Sequence, residues 1–419
     1  MISPYGEGFT LPPCSIDSVD RRVSDAINRA TQYGFSLDSL DEDLKNNIDV
    51  VRAAVMHNGL ALEHASLEMK NHVDIVLAAV RQNGLALRYG GLFINTNEAI
   101  VLAAVRQNGL ALQHASSGRK NSEEIVLAAV SQNGLALQYA DLRKKNKKFI
   151  VLAAVRQNGL ALEHAPVFMR DDEEIVLAAV SQNGHALKHA SLYKQSMEKI
   201  VLAALTQNTW VFYEVSRDMK NTLAIVLFAV SRYGKLLRYA SPEMKKNPAV
   251  VLAAIEQNAR AFLDADGDLQ NNEEICLAAI KKDPSILREP PFDHKAEDKG
   301  FVLAAVRANG LALEFASYTM REDTDIVLAA VKQNAKAIYH ARHVSTQTDS
   351  EVLEVCLKYL ALNPHEIDSR YFKAIAGHIP MVLREDPYEY DSEDEYATRF
   401  AWIGAVARFQ NSGSESYKP

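Results

Sequence analysis

The sequence predicts an all-α fold, an α-solenoid of about twelve 25-residue helix-turn-helix repeats with irregular caps. Three observations predict it. A sequence motif recurs at a fixed period, its apolar residues have helical spacing, and each helical segment is too short to form a hydrophobic core of its own. The phrase IVLAAVxQNGLAL recurs every 25 residues and, after one extra residue, twice more. Its first apolar residue stands at Val50, Ile75, Ile100, Ile125, Ile150, Ile175, Ile200, Ile225, Val250, Ile275, Phe301 and Ile326.

The unit from Asn121 to Ala140 shows how the first helix of a repeat is predicted to form. Asn121 is the expected N-cap, and Glu124 follows three residues later as in a capping box. The same pairing recurs twice: Asp171 with Glu174, and Asn271 with Glu274. The helix is expected to span about 12 residues. Its expected apolar surface is Ile125, Val126, Ala128, Ala129 and Val130.

The rest of the unit is predicted to turn the chain into the next repeat. Gly134 follows Asn133 where the apolar pattern stops, which indicates a helix ending on a left-handed residue. A second, shorter helical segment follows from Leu135 to Ala140, and a tail such as Met69-Lys70-Asn71 forms a turn. Neither helix could stand alone, so stacking of repeats is what buries both faces.

In chain order the sequence is predicted to form four segments. Residues 1–23 are a tail or irregular cap, 24–365 the repeat array, 366–410 a degenerate repeat with a helical cap, and 411–419 a disordered tail. A Pro-containing insertion, Glu289 to Gly300, interrupts the array.

Composition indicates a soluble protein of a reducing compartment. The net charge of −7 gives no support for a general nucleic-acid or anionic-membrane binder. No apolar run approaches the roughly 20 residues that span a bilayer, and the N-terminus does not resemble a secretory signal peptide. Cys14, Cys276 and Cys356 are few and far apart, which argues against a disulfide framework. Cys276 replaces the valine of IVLAAV and is expected to be a small buried hydrophobe.

The full wording of the repeat, IVLAAVxQNGLALxHAS, resembles the helical-repeat family called domain of unknown function 4116. The resemblance covers about three quarters of the chain. It implies the repeat architecture and a biological setting, since similar repeats occur in protists and in proteins that intracellular bacteria deliver into host cells. The family has no established catalytic or binding residues, so the resemblance implies no reaction.

Two polar rows run through the repeats. Asparagine recurs before the glycine, for example at Asn133, either as a ligand ladder or, as we favour, as a helix-end residue whose amide satisfies loose carbonyls. A second row alternates His and Tyr, for example His164 and His189, and is expected to hydrogen-bond a neighbouring repeat. His185 with His189, helped by His164, is the best zinc candidate, but no metal or cofactor is predicted. No nucleophile or phosphate-loop motif is present, so the sequence favours a non-enzymatic protein and assigns no catalytic residue.

The residue after Asn-Gly forms the most informative row for function. It reads Leu60, Leu85, Leu110, Leu135, Leu160, His185, Trp210, Lys235, Arg260, Ser285, Leu311 and Lys336. A position that accepts Lys and Arg must reach solvent, which predicts a semi-exposed seam suited to a protein partner. Alternatively, its leucines tuck under the next repeat.

Six residues are the candidate partner-binding set: Trp210, Tyr213, Arg232, Tyr233, Lys235 and Arg260. Trp210 and Tyr213 belong to the segment TWVFYEV, which replaces NGLALxHA, and are expected to point outward while Phe212 enters the core. The competing interpretation is a packing adjustment that also accommodates Phe228.

These patterns favour a protein-interaction scaffold, with a bacterial effector that binds a host protein as the hypothesis. The acidic stretch Glu389 to Glu395 and the polar terminus look similar to C-terminal translocation signals, although a solvated acidic surface explains them equally well. One alternative is an enzyme with a site in the irregular region from Glu351 onward. Another is an RNA-binding repeat protein that uses an interrupted basic row, disfavoured by net acidity: Arg81, Arg106, Arg156, Lys281, Arg307 and Lys332.

Overall fold

The structure is a computed structural model that describes residues 16–30, 36–292 and 295–342, together with residues 352, 355, 356, 358 and 359. The chain divides into two compact units, one ending at Met219 and one beginning at Lys220. All regular elements within the described ranges are helical, which confirms the all-α repeat solenoid. Helix α1, Ile16–Ala30, comes first and crosses the boundary drawn at residue 23.

Each repeat opens with an α-helix of ten residues, two fewer than expected, and the described ranges hold twelve of them. In the first unit they are α2 Ile48–His57, α3 Val73–Gln82, α4 Glu98–Gln107, α5 Glu123–Gln132, α6 Lys148–Gln157, α7 Glu173–Gln182 and α8 Glu198–Gln207. In the second unit they are α9 Leu223–Arg232, α10 Pro248–Gln257, α11 Glu273–Lys282, α12 Lys299–Ala308 and α13 Thr324–Gln333.

A 3-10 helix follows each of these α-helices as the second segment of the repeat. These helices are Gly59–His64, Gly84–Tyr89, Gly109–His114, Gly134–Tyr139, Gly159–His164, Gly184–His189, Thr209–Tyr213, Gly234–Tyr239, Ala259–Asp264, Pro284–Arg288, Gly310–Phe315 and Ala335–His340. Another 3-10 helix, Leu37–Ser39, precedes them.

A third short segment completes most repeats, where the sequence had predicted only a turn. In some repeats it is a single α-turn: Glu42–Lys45, Leu67–Asn71, Ser117–Lys120, Leu142–Lys145, Leu192–Gln195, Pro242–Lys245 and Gly267–Asn271. In others it is a 3-10 turn: Ile94–Thr96, Met169–Asp171, Met219–Asn221, Pro290–Phe292 and Lys295–Glu297.

Helix α5 shows how the repeat buries its apolar residues. Ile125, Val126, Ala129 and Val130 are fully buried, so two adjacent pairs one turn apart face the core. Ala128 is only half-buried, because it lies at the edge of that face. Within each unit, successive α-helices pack against each other and against the 3-10 helices, which places the core between the two layers.

The predicted capping boxes are wrong by one residue. Asn121 is the C-cap of the preceding short helix, and Ser122 is the N-cap of α5 without a side-chain hydrogen bond. In α7 the cap is Asp172, not Asp171, and in α11 it is Asn272, not Asn271. Each accepts the N–H three residues on, so the glutamates that follow sit in the first turn and favour the helix dipole instead.

The recurring Gln-Asn-Gly sequence joins neighbouring repeats through its glutamine side chain. Gln157 Oε1 accepts a hydrogen bond of 2.5 Å from the Gly134 N–H of the preceding repeat, and its Nε2 donates to the Gln132 carbonyl at 3.2 Å. Asn133 instead accepts the Leu135 N–H at 3.0 Å and so caps the 3-10 helix. The role predicted for the asparagine amide, satisfying carbonyls, therefore belongs to glutamine.

Gly134 is required by close approach and not by a left-handed backbone, which corrects the sequence interpretation. Its φ lies outside the left-handed region, and the preceding Asn133 is extended at φ −148°. A Cβ on Gly134 would lie 2.3 Å from the Ala154 carbonyl oxygen of the next α-helix. Only glycine lets the 3-10 helix approach that helix closely enough for the glutamine to reach.

Cys276 is fully buried in α11, as expected for a small hydrophobe. Burial raises the pKa of its thiol, although the Lys295 ammonium lies 3.4 Å from Sγ. Cys356 is also buried. Among the residues with described coordinates, no helix has the length and apolar character to cross a bilayer.

Candidate protein-binding surface

The row after the asparagine is a semi-exposed seam, as predicted. Leu60 is 36% exposed, and Leu85, Leu110, Leu135 and Leu160 are half-buried. The alternative, in which the leucines are buried under the next repeat, holds only for part of each side chain. Each leucine presents part of its surface to solvent, which leaves an apolar stripe in the first unit.

The backbone fixes the direction of every side chain in this seam. In each regular repeat the asparagine Oδ1 accepts the N–H of the seam residue, as from Asn108 to Leu110 at 3.0 Å and from Asn158 to Leu160 at 3.1 Å. In those repeats the seam residue therefore lies in the first turn of a capped 3-10 helix. Side chains held this way lose little conformational entropy when a partner binds.

Trp210 and Tyr213 share the 3-10 helix Thr209–Tyr213 in the first unit, and both face solvent. Trp210 is 46% exposed and Tyr213 is 49% exposed, whereas Phe212 is fully buried, as the register predicted. Thr209 takes the glycine position and is buried, and its hydroxyl donates to the Leu205 carbonyl at 3.0 Å. The segment thus keeps its core residues while it presents two large rings outward.

A polar cluster that the sequence did not predict lies beside Trp210. Asn208 Oδ1 accepts the Trp210 N–H at 3.0 Å, so its Nδ2 must face His185 Nε2, which is 3.1 Å away. Nε2 is then the acceptor, and Nδ1 carries the proton and donates to Glu214 Oε1 at 3.1 Å. The cluster is satisfied internally, with His185 as the neutral Nδ1–H tautomer.

A sequence signal for this cluster existed in two rows that break together. His185 stands where half of the repeats have leucine, and Glu214 stands where most have His or Tyr. The same double break recurs at Arg260 and Glu289, which form an ion pair at 3.5 Å. In both pairs the two residues are 29 positions apart, so the seam residue contacts the row of alternating His and Tyr, here called the ring row, in the following repeat.

Arg232, Tyr233 and Lys235 lie together in the second unit, where α9 ends and the 3-10 helix Gly234–Tyr239 begins. The Arg232 guanidinium stacks 3.9 Å from the Phe228 ring centroid. Tyr233 is exposed and replaces the usual asparagine, so this 3-10 helix has no side-chain cap. Arg260 lies one repeat on, and its 3-10 helix packs against that of Lys235. All four residues are exposed at neighbouring repeats of the second unit, and Arg260 is paired with Glu289.

The histidines that were the best zinc candidate have other partners. Both ring nitrogens of His185 are engaged by Asn208 and Glu214. His189 instead faces the preceding repeat, where its Nε2 lies 3.9 Å from Glu163 Oε2. Among the described residues, no group of three or more His, Cys, Asp or Glu side chains is able to hold a metal ion.

The basic row of the RNA alternative is partly neutralised. Arg106 lies 3.6 Å from Glu124, and Arg156 lies 3.6 Å from Glu174. Arg307 and Lys332 line a cavity of ≈ 530 Å³ between α12 and α13, but Asp325 lines it as well. The region from Glu351 onward, which the enzyme alternative would use, lies almost wholly outside the described residues, as do the acidic stretch and the polar terminus.

Comparison with known proteins identifies the repeat. No curated protein matches the chain. A family model described as Domain of unknown function (DUF4116) matches residues 29–70, 49–90, 97–143, 148–193, 198–245, 247–293 and 298–343. Those seven matches follow the helical repeats over most of the chain, and the protein belongs to the DUF4116 family of helical repeats.

Proposed function

We propose that this chain is a non-enzymatic protein-interaction scaffold whose partner binds along the seam. The observation that carries the proposal is the exposure of Trp210 and Tyr213 on a backbone whose neighbouring residues are buried. Rigid, half-exposed aromatic side chains are the usual centres of protein interfaces. In the second unit, Arg232, Tyr233, Lys235 and Arg260 supply a matching basic and aromatic surface for the same kind of partner.

The His185 cluster supports binding in preference to catalysis. A general base needs a free lone pair aimed at a substrate, and the Nε2 lone pair of His185 accepts from Asn208. Its carboxylate partner Glu214 stabilises one tautomer. The cluster therefore acts as a rigid support under Trp210, whose backbone N–H it holds.

The partner we propose is a host protein, and the chain an effector that an intracellular bacterium delivers. This proposal rests on the family and on the acidic run of the C-terminus, with its polar end. Fusion of the chain to a translocation reporter tests it. Loss of delivery after removal of residues 389–419 is the expected result, and delivery retained without them would refute that signal.

A pull-down from host lysate tests the scaffold with three variants. Trp210→Ala in the first unit and Lys235→Glu in the second should each weaken capture about tenfold or more, because each removes a solvent-facing anchor of the surface on its own unit. Met56→Ala is the matched control, since Met56 is 65% exposed but lies outside the seam. Capture that survives both seam variants, or that disappears with nuclease or moderate salt, would overturn the proposal in favour of another surface or of RNA.

A further inference from the structure

A row of apolar side chains lies along a different edge of the first unit, at the start of the short third segments or just before them. Its aliphatic members are Leu67, Leu92, Leu142, Val167 and Leu192. Its aromatic members are Phe93, Phe168 and Tyr193. These eight residues, here called the apolar ridge, are 58–86% exposed, whereas Trp210 is only 46% exposed. They are too exposed to contribute to the core.

Backbone hydrogen bonds between third segments align the ridge positions, except before Val167, where Pro166 has no N–H to donate. Gly91 N–H donates to the Lys70 carbonyl at 2.8 Å, and Ser116 N–H donates to the Asn95 carbonyl at 3.0 Å. Asp141 N–H donates to the Lys120 carbonyl at 3.0 Å. Each such donor directly precedes a ridge position. Successive positions are therefore aligned, at a spacing of roughly 8–10 Å set by helix packing.

The exposed area is large enough for a stable interface. An aromatic side chain buries roughly 150–250 Å², and the eight ridge residues together present on the order of 1,000 Å². A standard interface buries about 800 Å² on each partner, and apolar patches above a few hundred Å² on a monomer mark interaction sites. The ridge therefore meets the size of a specific protein contact.

The order of residues along the ridge is self-complementary in the antiparallel sense. The repeat between Phe93 and Leu142 carries Ser117 and Gly118 at the ridge positions, which leaves a notch. If a second copy lies antiparallel about a two-fold axis midway between Ser117 and Leu142, then Leu142 enters the partner's notch. The same axis sets Leu92 against Val167. All six repeats are then matched.

We propose that the apolar ridge pairs two copies of this chain in an antiparallel, isologous dimer. An anionic membrane fits less well, because two of the cations beside the ridge are paired within the chain. Arg119 lies 2.6 Å from Glu98, and Lys148 lies 2.8 Å from Asp172. The contact uses an edge distinct from the seam, so two seams remain open in the dimer.

Light scattering during gel filtration measures the oligomeric state over protein concentrations of about 1–100 μM. The parent protein should be dimeric at the upper end, and Leu92→Lys should raise the dissociation constant at least about tenfold. Gly118→Trp should do the same by filling the notch. A Cβ there meets only Ser116 Oγ at 4.0 Å, so the monomer tolerates the change. Met56→Lys is the exposed control that should leave the dimer intact.

Disulfide trapping tests the antiparallel register. In a Cys14→Ala background, the double variant Leu92→Cys, Val167→Cys should cross-link to a dimer under diamide, while either single variant should not. Three repeats separate the two positions within one chain, so the bond must form between copies. A monomeric parent, a dimer that survives both Leu92→Lys and Gly118→Trp, or cross-linking by Leu92→Cys alone would overturn the proposal. Trp210→Ala should leave the dimer unchanged, which separates this result from the scaffold test.

Discussion

Glycine and glutamine are coupled residue by residue across the array. Within the described ranges, eight 3-10 helices begin with glycine, and each glycine N–H donates to a glutamine of the next repeat at 2.5–2.7 Å. Thr209, Ala259 and Pro284 replace the glycine, and the following repeats then carry Arg232, Lys282 and Ala308 in place of glutamine. In the second unit the change has a physical reason, since Pro284 has no N–H to donate and Ala259 carries a Cβ where the glycines have none.

Gly134→Ala should destabilise the first unit by about 1–3 kcal/mol, since its Cβ would clash with the Ala154 carbonyl. Gln157→Ala should cost a similar amount, because it leaves the Gly134 N–H and the Gln132 carbonyl without this partner. The double variant should cost less than the sum, since both changes break one contact. Urea unfolding measures all three variants.

Gly118→Ala is the control for this series. Its Cβ meets nothing closer than 4.0 Å, so its unfolding midpoint should stay close to that of the parent protein. Full additivity of Gly134→Ala and Gln157→Ala would contradict the coupling. The sequence contains this covariation, yet the Asn-Gly pair alone suggests a left-handed helix end. Only the distance to the next helix distinguishes close approach from a positive φ.

At the scale of the element, the ring row ends each 3-10 helix beside the preceding repeat. Tyr89 hydrogen-bonds Glu63, which raises the pKa of its phenol. Burial lowers the pKa of His114, and it lowers that of His164 and His189 despite the nearby Glu163 carboxylate. The neutral imidazole is therefore the form that suits this position, which explains why tyrosine replaces it freely.

The first unit should lose stability as pH falls below about 6.5, the ordinary histidine pKa. A ring whose folded-state pKa is depressed binds its proton more readily after unfolding, so stability is full above that pH and is lost through the lower folded-state pKa. The triple variant His114→Tyr, His164→Tyr, His189→Tyr should show a smaller drop in Tm between pH 7.5 and pH 5. Tyr139→His is the reverse substitution and should enlarge the drop in Tm between pH 7.5 and pH 5. Equal drops in all three proteins would contradict this origin.

Element boundaries mark where the sequence stopped being informative. The buried pairs of each α-helix, such as Ile125 with Val126, repeat so regularly that the helix and its core face could be predicted. The third segments could not, because Leu67 and Leu92 are exposed and give no periodic burial signal. The N-cap shifted for a similar reason: Asn121 and Ser122 are both capping residue types, and only the backbone decides between them.

For the whole molecule, the bonds between repeats connect near neighbours in the array. The glutamine bridge joins residues 23 apart and the third-segment bond joins residues 21 apart, so each repeat depends on its neighbours within its unit. Stability is then a sum of repeat and interface terms. The exposure of the seam could be predicted from the lysines and arginines in its row. The His185 cluster could not be predicted, because it forms only where residues of two rows meet across a repeat boundary.

Removal of one full period should therefore leave the first unit folded. Deletion of residues 123–147 joins Ser122 to Lys148, so α6 takes the place of α5 with the same N-cap residue in front of it. Gly109, which now bonds Gln132, would bond Gln157. Far-UV circular dichroism should show unchanged helix content per residue and a cooperative melt. Deletion of residues 123–144 removes 22 residues at the same point, shifts every later bond out of register and should abolish that melt. If the two deletions behave alike, the array does not owe its stability to bonds at a fixed period.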